Sequence, residues 1–102
     1  MSSIVVHKQS ATIAASGGTA TATLNILQGI MKQLYVEAAT TTTTFDVTLT
    51  DIHGLVVYEL TDINGVLNEM LEMPAYANYT LTVANASADE NFTYLSTFLE
   101  QT

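Results

Sequence analysis

Apolar and polar residues alternate with a period of two along most of the chain, the spacing of strands covered on one face. From Thr19 to Ile26, Ala20, Ala22, Leu24 and Ile26 share one side while Thr19, Thr21, Thr23 and Asn25 share the other. Thr44 to Thr50 repeats the pattern, with Phe45, Val47 and Leu49 opposite Thr44, Asp46, Thr48 and Thr50. Tyr79, Leu81 and Val83 oppose Thr80 and Thr82 in a third copy. Threonine suits the outer side, being β-branched, stiff at χ1 and compatible with water.

The remaining segments alternate less cleanly. Ile4 to His7 reads as a first strand, and Met31 to Ala38 sets Leu34, Val36 and Ala38 against Gln33, Tyr35 and Glu37. Leu55 to Leu60 is almost wholly apolar, which predicts a central strand covered on both sides. Asn91 to Leu99 carries Phe92, Tyr94 and Phe98 on one side and Leu95 and Leu99 on the other. Such a strand at the end of a small domain calls for a second cover, which a neighbouring subunit would supply. Val66 to Met73 is compatible with a short helix, since Val66, Met70 and Met73 fall at helical spacing and Pro74 would end it.

Turn chemistry punctuates these runs. Thr50-Asp51-Ile52-His53-Gly54-Leu55-Val56 returns as Thr61-Asp62-Ile63-Asn64-Gly65-Val66-Leu67. Each copy offers an Asp able to bond its own backbone and a Gly free to take positive φ, so both predict reversals. Ala15 to Gly18 and Asn85 to Asp89 predict two more, and the Thr40 to Thr44 run predicts a loop. About seven or eight strands result, with no helices to connect a parallel sheet. The expected fold is all-β: a single-domain antiparallel β-sandwich, jelly-roll-like, spanning residues 1–102.

Charge narrows the function classes. Ten carboxylates face two lysines, Lys8 and Lys32, with no Arg. Nucleic-acid binding and attachment to anionic membranes both draw on Lys and Arg, so neither is expected. The absence of Cys removes disulfides and thiolate metal sites. No stretch is long and apolar enough to cross a bilayer, and the start at Met1 has no signal-peptide pattern, so a soluble product without a leader is expected. The three Asn-x-Ser/Thr sequons at Asn78, Asn85 and Asn91 are then chance occurrences in a chain rich in Thr and Asn.

Candidate chemistry is sparse. Asp51 and His53, two apart, would point to one side of an extended backbone and begin a metal site, although Asp-x-His-Gly is also plain turn chemistry. Asp62 to Gly65 resembles a fragment of a calcium loop that lacks its distal acid. The carboxylate pairs Asp89/Glu90 and Glu69/Glu72 have no predicted cleft around them, and no Ser sits in a nucleophile elbow. No catalytic residue, cofactor or firm metal site is therefore expected. Met70, Met73 and Tyr76, with Tyr79 near Pro74, make an adaptable cluster suited to a partner surface. Together with Phe92, Tyr94 and Phe98, they are the candidate interface residues.

The chain resembles the small acidic β-sandwich proteins of tailed-bacteriophage virions, capsid decoration (cement) proteins in particular. The resemblance is carried by Gly17-Gly18-Thr19-Ala20-Thr21-Ala22-Thr23, by Gly29-Ile30-Met31, and by Thr44 to Asp51 with Gly54 and Val57 after it. Tyr79 to Ser87 completes it. It implies a non-enzymatic virion subunit, dimeric or trimeric, assembled in the host cytoplasm and bound to the major capsid protein or other virion proteins. In that role it would stabilise capsomer contacts. A fibre, neck or tail-associated β domain and a carbohydrate-binding module are the alternatives. An exposed row of Tyr35, Tyr58, Tyr76, Tyr79 and Tyr94 would favour the last.

Overall fold

A computed structural model describes residues 4–24, 29–75 and 78–101. Eight strands occur among the described residues: β1 (Ile4–Ala14), β2 (Ala20–Leu24), β3 (Gly29–Ala38), β4 (Thr44–Thr50), β5 (Val56–Asn64), β6 (Val66–Ala75), β7 (Tyr79–Ala84) and β8 (Asn91–Gln101). They form two four-stranded sheets, ordered β1-β8-β3-β6 and β2-β7-β4-β5, with every pairing antiparallel. Successive strands along the chain alternate between the sheets except at one junction, β4 to β5, and β8 returns to lie beside β1, which is jelly-roll connectivity. The expected all-β sandwich is the observed fold.

Period two explains which side of each strand is buried. Phe45, Val47 and Leu49 of β4, Tyr79, Leu81 and Val83 of β7, and Ala20 and Leu24 of β2 face the core. Met31, Leu34, Val36 and Ala38 of β3 meet them from the other sheet, with Phe92, Tyr94 and Phe98 of β8. Phe45 and Phe92 join the two sheets edge to face, their ring centroids 5.1 Å apart. The predicted outer threonines are in register: Thr21, Thr82 and Thr48 form one row across β2, β7 and β4, and Thr23, Thr80 and Thr50 form the next. The strand expected to continue to Ile26 runs into residues 25–28, outside the described residues.

Three expectations are corrected. Val66 to Met73 is strand, not helix, because pairing with β3 supplies the backbone bonds and Leu67 fills the core. Period two holds along β6, with Leu67, Leu71 and Met73 turned inward and Val66, Met70 and Glu72 exposed, so the helical spacing of Val66, Met70 and Met73 mixes two faces of a strand. Pro74 lies within β6, tolerated because β6 is a sheet edge. The apolar run Leu55 to Leu60 is not central: β5 closes its sheet with β4 as its one ladder partner. Conversely, β8 is flanked by β1 and β3 and buries Phe92, Tyr94 and Phe98 inside the chain. These three side chains are core and are not available to a partner.

The two Asp-Gly copies also part company. Around Gly54 the chain makes a hairpin, β4 to β5. At Gly65 it turns a corner from one sheet to the other in a single residue, the amide donating to the Thr43 carbonyl at 2.8 Å and the carbonyl accepting from Ala38 at 2.8 Å. Gly65 has φ of +75°, and a Cβ added there would collide with the Thr41 backbone carbonyl. Both facts demand glycine.

Candidate functional site

The hairpin that delivers β5 is built by Asp51. Its carboxylate Oδ1 accepts from the His53 amide at 2.8 Å and the Leu55 amide at 2.9 Å. Those bonds, Leu55's foremost, hold its pKa below the ordinary carboxylate value. The Asp51/His53 pair is therefore a turn device, with the acid's acceptor capacity spent on backbone. The same turn leaves Ile52 and Leu55 pointing into solvent.

At the far end of β5, Asp62 adopts φ of +57° where the β4 pairing shifts register opposite Asp46. The Asp62 amide donates to Asp46 Oδ1 at 2.9 Å, and Asn85 Nδ2 donates to Asp46 Oδ2 at 2.7 Å. Asp46 is lowered in pKa by the Asn85 bond first and the Asp62 amide second. Asp62 and Asn64 are thus parts of a bulge and a corner. Among the described residues no three His, Asp or Glu side chains gather to hold a metal ion.

Between these two fixed ends lies an apolar edge. Of the eight large hydrophobic residues left exposed among the described residues, five belong to the β4–β5 hairpin and β5: Ile52, Leu55, Val56, Val57 and Leu60. Leu55 and Val56 keep 63% and 57% of their surface in water. Leu60 and Tyr58 pair with Val47 and Leu49 and so face the core side, but at the edge the cover is incomplete and Leu60 is 38% exposed. Burial first, and the Glu69 charge second, raise the pKa of Tyr58, which places Glu69 of β6 beside it. Val66 and Met70 are exposed on β6.

The candidate interface residues fare differently from one another. Met70 is 72% exposed, as a partner surface requires. Met73 is half-buried against the core, and Tyr76 lies outside the described residues. The β5 residues went unread because alternation reports faces and not neighbours. The one local hint is that the Leu55–Leu60 run is the arm of a hairpin whose other arm, Thr44 to Thr50, alternates strictly.

The carboxylate pairs do structural work. Asp89 accepts from the Gly17 and Gly18 amides at 3.1 and 2.8 Å, and Glu90 accepts from the Thr40 amide and Thr43 Oγ1 at 2.6 and 2.9 Å. Glu72 pairs with Lys32. A shallow hollow beside Gly65, lined by Glu37, Ala38, Thr41, Asn64 and Val66, holds a single carboxylate, and Glu37 accepts from the Tyr35 hydroxyl at 2.6 Å. Tyr79 and Tyr94 are buried, and the Tyr79 hydroxyl donates to the Pro74 carbonyl at 2.9 Å, so the described tyrosines make no exposed row.

No protein-family model matches the chain, and no curated protein matches it in sequence. Among solved structures it is similar to a periplasmic inhibitor of g-type lysozyme, PliG of Aeromonas hydrophila, at 14% identity over 93% of this chain and 86% of that one, with a TM-score of 0.48. A second similar structure is the carbohydrate-binding module CBM36 in complex with calcium and xylotriose, at 14% identity, 89% and 78% coverage and a TM-score of 0.41. A third is the enzymatically active domain of tailspike protein 4 of bacteriophage CBA120, at 15% identity and a TM-score of 0.35, covering 98% of this chain and 19% of that one. These are distant likenesses in fold.

Proposed function

We propose that the protein is a non-enzymatic assembly subunit, a capsid-decoration type of virion protein that acts by binding a larger protein shell. The observation that supports this reading is the exposed apolar edge of β5, where five of the eight exposed large hydrophobic residues gather beside the threonine-coated face of its sheet. Exposed apolar residues gathered on one edge strand of a small acidic domain mark a surface that is covered in use. One strand's worth of contact is modest, and many copies on a repeating shell would make it effective through avidity. Buried Tyr79 and Tyr94 weigh against the carbohydrate-module alternative, which needs exposed aromatic platforms.

The test is cosedimentation with purified tailed-phage capsids assembled without this chain, beside the double variant Val56→Glu/Val57→Glu. Saturable binding that raises the capsid melting temperature, and is lost in the variant, is the expected result. A chain that never pellets with capsids would overturn the reading.

A further inference from the structure

The carboxylates whose side chains are described divide into two groups. Glu37, Asp46, Asp51, Glu72, Asp89 and Glu90 each accept a hydrogen bond from within the chain. Among the described residues, Glu59, Asp62 and Glu69 are the ones whose carboxylates accept none, and all three lie on β5 and β6. Glu59 pairs opposite Thr48 on the outer face, Asp62 occupies the bulge, and Glu69 stands beside Tyr58. Unspent negative charge therefore borders the exposed apolar strip of Leu55, Val56, Val57 and Leu60.

The four sheet edges are not equally guarded. β6 carries Pro74 and the Glu72–Lys32 pair, and β2 is five residues long with threonines outside. β1 includes Lys8 in its sequence. β5 has neither Pro nor Lys, and it follows β4 at the end of its sheet with its far side open. Register shifts bracket β5 and the charges that guard it, Glu59 and Asp62, are all negative, so the apolar stretch between the shifts is a template for a strand of opposite charge.

We infer that the β5 edge accepts an extended segment of a different protein, one that alternates apolar residues with Lys or Arg, as a fifth strand of the β2-β7-β4-β5 sheet. This rests on reading the chain as an assembly subunit and names the chemistry of its partner. Charge selects the occupant. A second copy of this chain would bring two sets of Glu59 and Asp62 together, and Lys32, the lysine whose side chain is described, is already engaged with Glu72. A basic strand with its Lys or Arg on the outer face stands beside Glu59 and lays their stems over Val57, while its apolar residues on the core side cover Tyr58 and Leu60.

The experiment is an NMR titration of the whole chain with a capped hexapeptide of alternating Lys and Val, with an alternating Glu and Val hexapeptide as control. Expected are amide shifts confined to residues 55–62 with the Lys peptide and none with the Glu peptide. Glu59→Gln/Asp62→Asn should weaken binding by about fivefold, as the loss of two exposed charge pairs implies. Thr21→Lys/Thr23→Lys, at the sheet's opposite edge, makes the same change in net charge and should weaken it by less than about twofold. Equal weakening by both variants, shifts spread away from β5, a β5-mediated dimer of the free chain, or no shift at millimolar peptide would each overturn the inference. If the wild-type chain still pellets with capsids in any of those cases, the assembly reading survives without it.

Discussion

β5 and β8 look alike in sequence and live opposite lives. Both are apolar at odd and even positions, and each would be assigned cover on both sides from its pattern alone. β8 lies between β1 and β3, bonded along both flanks, with Phe92, Tyr94, Ser96 and Phe98 turned into the core. β5 has a ladder on one flank and is held at its two ends by side-chain carboxylates, Asp51 at the hairpin and Asp46 at the bulge. Hydrophobicity on two faces thus has two physical meanings. In β8 it supplies a core and a half-covered outer face; in β5 it leaves apolar side chains in water.

The largest expected separation is in stability. Phe98→Ala should cost about 3–5 kcal/mol in urea unfolding, the range for truncating a buried aromatic. A loss well under 1 kcal/mol would show that β8 is not the core strand described here.

Acid should separate the strands by order of opening. Asp46 and Asp51 have folded-state pKa values below their unfolded ones, so their stabilisation is present above about pH 4 and is lost as pH falls through the folded values. Burial opposes the Glu90 charge, and the hydrogen bonds from Thr40, Thr43 and Ala39 outweigh it, so this residue titrates with the same sign. Hydrogen exchange, corrected for intrinsic rates, should therefore rise at Asp62 and Leu55 before it rises anywhere in β8. Simultaneous opening would mean that the carboxylates are not what holds β5.

Smaller effects test the interiors of the two strands. Ser96 is fully buried, and its hydroxyl finds no hydrogen-bond partner. Ser96→Ala should leave stability unchanged or raise it by up to about 1 kcal/mol, since an unsatisfied hydroxyl is removed from the core. A marked loss would reveal a partner for that hydroxyl. Val57→Thr on β5 should shift stability by less than about 0.5 kcal/mol, as a surface change does. A larger cost would place Val57 inside a packed contact and take the apolar edge away.

What the sequence made legible follows from what alternation encodes. Thr44 to Thr50 and Tyr79 to Val83 were readable because one face is core and the other water, so residue type and burial agree position by position. The turns at Gly17-Gly18 and Gly54 were readable because positive φ has few chemical solutions. Strand order was not, because it is set by pairings far apart in the chain, such as Ala14 with Asn91. That gap misplaced Leu55–Leu60 and Phe92–Phe98 in opposite directions. β6 was obscured because apolar Val66 and Met70 lie on its exposed face, so that with Met73 of the inner face they fall at a spacing a helix shares. Of the candidate interface residues Met70 is exposed, while the exposure of β5 depended on knowing which strand closes its sheet.

The β1–β8 ladder has a mechanical consequence. Ile4 lies opposite Gln101 and Ala14 opposite Asn91, so the free ends of both strands emerge at the same end of the sheet. Antiparallel ladder bonds run perpendicular to their strands, so a pull between those two ends opens them one after another, like a zipper. A pull between β5 and either end instead runs through the packed layer joining the sheets, including the Phe45–Phe92 pair, and loads many contacts at once. A subunit held by its β5 edge would resist force applied through its own body and yield first where its two terminal strands meet.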